Sequence, residues 1–163
     1  MIPNGGKNKP IKVPIEAPII PNLLAPNFFE VYDRFDADAE ALNTMINNPN
    51  ATIVGKLMAE TKGLEIGDIL AIKSNSMNSD GTYNWSFQVV GFYTVEKIKG
   101  DEMGAVINWN SFDEARLTQK GTVGYIMAKA SDPSLSDKIS DVIDDRFINS
   151  PYATRTCLLY TSP

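Results

Sequence analysis

Between residues 84 and 93 the chain reads NWSFQVVGFY, in which Trp85, Phe87 and Val89 alternate with Ser86 and Gln88. Alternation with a period of two marks a strand with one buried face. Short runs of strand-forming residues predict two further strands, at 68 to 74 and at 104 to 109. SNSMNSDGTYNW, between 74 and 85, reads as a hairpin loop. Residues 27 to 49 carry two overlapping patterns. Phe28, Phe29, Val31, Tyr32, Phe35, Ala39, Leu42 and Ile46 suit a helix, whereas Phe29, Val31 and Phe35 also suit a strand that hands over to a helix near Ala37.

ATIVGKLMAETKG predicts a short helix, with Val54, Leu57 and Met58 on one side and Gly63 as its C-terminal stop. GTVGYIMAKA, 121 to 130, predicts a buried strand. A helix follows, with Asp132 as N-cap and Pro133 at its first position. Leu135, Ile139, Val142, Ile143 and Phe147 then line one apolar face. Before residue 27, Pro3, Pro10, Pro14, Pro18, Pro21 and Pro26 predict extended or loosely ordered backbone with no core of its own. No internal repeat of convincing period is present.

The 163 residues are 43% hydrophobic and 21% charged, a composition that fits one globular domain or two small lobes sharing a core. A net charge of -5 argues against nucleic acid as a partner, because phosphate binding needs clustered Lys and Arg. Histidine is absent, which removes Ser-His-Asp and Cys-His nucleophile pairs, the H-E-x-x-H zinc motif and imidazole proton transfer near neutrality. The single cysteine, Cys157, can form neither an internal disulfide nor a Cys-based zinc site. No run reaches the roughly 20 apolar residues of a membrane-spanning helix. IKVPIEAPIIPNLLAP is broken by prolines, and MIPNGGKNKP does not lead into a signal-type apolar region. By itself the sequence reads as a soluble chain.

Candidate chemistry is sparse. In GLEIGDILAI, Asp68 follows Gly67 at a strand entrance, where a short carboxylate bonding backbone amides is the commoner role; the phosphate-cradling Lys and Ser/Thr of a P-loop are missing. NSMNSDG is oxygen-rich, but its alternate positions are not acidic and Phe87 stands where an EF-hand has its bidentate Glu; Asp80-Gly81 reads as a turn. Asp33, Asp36, Asp38 and Glu40 could pair as hydrolytic carboxylates, yet a solvated face is the ordinary reading. Lys138 and Ser140 are too close in sequence to face each other on a helix, and Asp144 and Asp145 fall on its polar side. Trp85 and Trp109 with Phe87, Phe92 and Phe112 could form a ligand platform, though strand aromatics usually fill cores. Asn50-Ala51-Thr52 and Asn84-Trp85-Ser86 match the glycosylation pattern, a common chance match. No catalytic, cofactor-binding or metal-binding residue is assigned.

Four blocks, taken in order, are ATIVGKLMAETKGLEIGDILAI, DGTYNWSFQVVGFYTV, NSFDEARLTQKGTVGYIMAKASDP and SDKISDVIDDRFINSP. Together they resemble the MacB-like periplasmic core domain of bacterial ABC transporter permeases, in the FtsX-like group. The resemblance spans about residues 27 to 156; GTVGYIMAKASDP running into IDDRFINSP is its most specific part, and GLEIGD alone is weak. It implies an α+β fold, an α/β lobe of β-α elements with a smaller mainly β lobe. GLEIGDILAI and WSFQVVGFY would belong to the β lobe and 121 to 148 to the α/β lobe, and residues 28 to 36 are tilted toward a strand.

The resemblance also implies a non-catalytic extracytoplasmic domain at the periplasmic face of the inner membrane, with no cofactor. Such a domain couples ATP-driven motion of membrane helices to export or extraction of a substrate. Its implied partner is a cytoplasmic ABC ATPase, reached through membrane helices not in this sequence, with room for a second permease copy and a periplasmic partner or substrate. On this reading 1 to 26 is a proline-rich, poorly ordered segment, 27 to 156 the core domain, and 157 to 163, CLLYTSP, a non-native tail resembling a translated sequencing adapter. The alternative is a free-standing soluble module that binds a ligand on its aromatic strands; an enzyme working with carboxylates alone is a third, weaker reading.

Overall fold

The computed structural model describes residues 28–32, 34–123, 126, 129–151 and 153–158. Residues 1 to 27, with the proline-rich segment, lie outside them. The chain divides into two compact units, Met1–Ile126 and Met127–Pro163, each described by itself.

The first unit is an α+β fold around a mixed five-stranded sheet. Its elements run α1 (Phe28–Val31), β1 (Phe35–Ala37), α2 (Ala39–Asn47), β2 (Ala51–Gly55), α3 (Lys56–Lys62), β3 (Ile69–Lys73), β4 (Asn84–Val95), β5 (Ala105–Ile107) and α4 (Trp109–Ala115). A 3-10 turn at Lys99–Glu102 precedes β5. β4 organises the sheet. β3 pairs antiparallel with its first half, from Asn84 to Gln88, and β1 with its end, from Tyr93 to Val95. β2 takes the opposite edge in parallel, and β5 closes antiparallel onto β2.

One irregularity gives the sheet two cores. Thr52 faces Val89 but Ile53 faces Gly91, so Val90 is an extra residue in β4. Side chains alternate between faces along a strand, and an inserted residue reverses the order beyond it. Trp85, Phe87 and Val89 therefore join Val54, Met58, Leu70, Ile72 and Phe112 in one cluster. Tyr93 and Val95, still odd-numbered, join Phe35, Ala41, Met45, Ile53 and Val106 in the other. α3 and α4 supply residues to the first core, α2 to the second, and β2 between them is buried at every position. Gly91 lets α2 come close, since a Cβ there would stand 2.4 Å from that of Ala41.

The structure corrects the expected elements at three places. ATIVGKLMAETKG is not one helix: β2 ends at Gly55, whose extended backbone (φ -61°, ψ 139°) is the N-cap of α3, and Val54 is a strand residue. The β-branched run Thr52-Ile53-Val54 suits a pleated, buried strand better than a helix. Gly63 does stop α3, in the left-handed region at φ 63°. Residues 28 to 36 follow neither reading alone, as a one-turn helix precedes β1. In 121 to 130 the described positions 121–123, 126, 129 and 130 carry no strand, and Ile126 is 82% exposed; 124, 125, 127 and 128 lie outside the described residues. The expected strands at 68 to 74, 84 to 93 and 104 to 109 appear as β3, β4 and β5, with β3 and β4 in one sheet with β1, β2 and β5.

The second unit contains a 3-10 turn, Pro133–Leu135, and α5 (Ser136–Phe147). Asp132 caps the turn, accepting from the Ser134 amide at 2.9 Å. The expected apolar face of α5 is present at helical spacing, but none of its residues is buried.

Candidate functional site

Asp68 is a turn residue. Its carboxylate accepts the Glu65 amide at 2.8 Å while its own amide donates to the Glu65 carbonyl at 3.1 Å. Gly67, at φ 95°, donates to the Val89 carbonyl, and the Val89 amide returns a bond to the Asp68 carbonyl, both at 2.8 Å. The loop is thus laced onto β4 and aims β3.

In NSMNSDG the side-chain oxygens of Asn78 and Asp80 are likewise engaged with local backbone amides. Asp80 accepts from the Thr82 amide at 2.8 Å, and Gly81, at φ 81°, donates to the Asn78 carbonyl. Asp38 caps α2 through the Glu40 and Ala41 amides at 2.8 and 3.1 Å. Asp36 and Glu40 are exposed, and Asp33 lies outside the described residues. Ser140 donates to the Ser136 carbonyl, Lys138 and Asp145 are exposed, and Asp144 binds the amide and hydroxyl of Thr156. No cluster of three or more metal-ligating side chains occurs among the described residues.

The aromatic set lies largely in the core. Trp85 and Phe87 are each 4% exposed, their rings parallel to within 5° at 6.2 Å, and Phe112 packs on Trp85 at 4.6 Å. The Trp85 indole donates to the Ser76 carbonyl at 2.9 Å, while Trp109 and Phe92 are half-buried. In the first glycosylation match Thr52 is fully buried, donating to the Val106 carbonyl; in the second, Asn84 is paired with Lys73 in the β3–β4 ladder.

Two charged clusters that sequence reasoning did not single out are better organised. Glu102 is 2% exposed and accepts from the Val95 amide and the Lys99 ammonium, both at 2.8 Å. The Lys99 bond, aided by the Val95 and Leu57 amides against the cost of burial, holds its carboxyl below the usual range. Asp101 beside it accepts the Tyr93 hydroxyl on its carbonyl and meets Arg34 at 3.3 Å, so this corner joins β4, α3 and the entrance to β1. Burial pushes Tyr93 up to about 12.

The second cluster is at the end of α4. Asp113 pairs with Arg116 and accepts the Gly121 amide at 2.9 Å. Arg116, 4% exposed, donates to the Thr122 carbonyl at 2.7 Å and lies over the Trp109 ring at 4.8 Å. Neither cluster has a sequence signal beyond the (i, i+3) spacing of the pairs, which is common by chance.

Asp113 is lowered first by the Gly121 amide, Asp132 by the Ser134 hydroxyl and Asp144 by the Thr156 hydroxyl. With Glu102 they are poorer proton donors than free carboxyls, and a general acid needs the opposite shift. No helix among the described residues is long and apolar enough to cross a membrane. Comparison with protein families, with curated proteins and with solved structures finds no match to this chain.

Proposed function

We propose that this chain is the extracytoplasmic core domain of an ABC-type transporter permease of the MacB-like, FtsX-like group. It is a non-catalytic body at the periplasmic face of the bacterial inner membrane, coupling ATP-driven helix motion to export or extraction of a substrate. The observation that carries the reading is the ordered set of sequence blocks, above all GTVGYIMAKASDP running into IDDRFINSP. The α+β fold accords with it. The finer layout, an α/β lobe beside a smaller mainly β lobe, belongs to the proposal, as do the cytoplasmic ATPase and a second permease copy as partners. The ligand-binding alternative has less support, since the faces of Trp85 and Phe87 are occupied by core neighbours.

Sequencing the gene through both ends of this reading frame tests the proposal. Apolar spans of about 20 residues on either side are expected. A stop directly after Pro163, with no such span upstream, would overturn it.

A further inference from the structure

Residues 117–122 have no regular structure, yet both ends of this strap are fastened. At its start the Leu117 amide donates to the Met77 carbonyl at 2.9 Å, and Arg116 forms a β-bridge with Asn78. At its end Gly121 donates to both carboxylate oxygens of Asp113, at 2.9 and 3.0 Å, and the Thr122 carbonyl accepts from Arg116. Lys120 adds a bond to the Glu114 carbonyl at 2.9 Å. To make this return the backbone takes positive φ at Gly121 (72°) and at Gln119 (60°). A non-glycine residue holds such a conformation only when its surroundings over-determine it.

We propose that Asp113 and Arg116 form a clasp that makes this strap part of the rigid sheet unit. The guanidinium suits this role because its planar fork engages a carboxylate and a carbonyl at once while its face rests on Trp109 and Phe112. A pull arriving along the chain from beyond Thr122 is then divided between the Gly121 and Thr122 bonds and delivered to α4. From α4 it passes through Phe112 and Trp85 into the sheet. Without the clasp the same pull would first draw out the strap.

The use of the clasp under load rests on the coupling function proposed above; its existence does not. The test is amide hydrogen exchange of Gly121 in the full-length chain, compared with Ile53 and Val106 in the sheet. Asp113→Ala should speed exchange at Gly121 by at least about tenfold and leave the sheet amides protected. Arg116→Lys, which keeps the charge but loses the fork, should do the same and serves if the first variant does not fold. Tryptic cleavage after Lys120 should accelerate in parallel. A Gly121 amide unprotected in the parent chain, unchanged exchange in the variants, or equal loss at Ile53 and Val106 would each overturn the clasp. None of these outcomes depends on whether the gene encodes membrane spans, so the two proposals can fail separately.

Discussion

Glu102 brings a carboxylate into the interior, 2% exposed, where the Val95 amide and the Lys99 ammonium donate to it. Replacing it with Gln keeps an acceptor for the Val95 amide but leaves Lys99 without its charge partner. A loss of about 1–3 kcal/mol in urea unfolding is expected. The pH dependence follows from its lowered pKa: the stabilisation is complete above the ordinary value of 4.5 and is lost as pH falls through the lower folded value. Asp113, Asp132 and Asp144 act with the same sign, so the informative quantity is the difference between parent and Glu102→Gln. The variant's stability should fall less steeply in acid than that of the parent chain. At Gly55, an added Cβ would lie 2.0 Å from the Glu102 carbonyl oxygen, a backbone atom, whereas at Gly91 it would meet only the Ala41 side chain. Gly55→Ala should therefore cost more than Gly91→Ala, for which about 1–3 kcal/mol is expected, and Ala41→Gly should partly rescue only the latter.

Among the elements, β4 is the one whose register matters most. Deleting Val90 would remove the extra residue and send Tyr93 and Val95 to the face now held by Trp85 and Phe87. Loss of the near-ultraviolet dichroism of the folded chain is expected, where Val90→Ala should retain it. Asp38→Ala removes the cap of α2 and should cost about 1 kcal/mol in the same unfolding measurement. β3 and β4 were legible to within a residue or two because alternation, a Gly67-Asp68 turn and an Asp80-Gly81 turn all act locally. β2 was not, although Thr52-Ile53-Val54 is β-branched and Gly55 marks its end, because the run feeds straight into α3 at helical spacing and the strand is fixed by partners on both edges, β4 and β5. The bulge was equally hidden, since an unbroken odd-numbered apolar series looks like one face. Asp68 could be assigned to a turn from residue types alone, whereas Glu102 depends on the Val95 amide at the end of β4, which no spacing rule connects to it.

For the whole molecule, every buried side chain among the described residues falls between Phe35 and Arg116. The same architecture dictates an order of events while the chain is being made. β1, β2 and β3 all wait for β4, and Val95 is synthesised about 40 residues after Gly55, which at about 5–20 residues per second is a delay of several seconds. Until then the stretch Thr52-Ile53-Val54 has no complete strand on either edge, and β5 is made later still. A nascent chain of this design is most exposed to wrong partners just before its longest strand arrives, and that is when a holding chaperone would matter most.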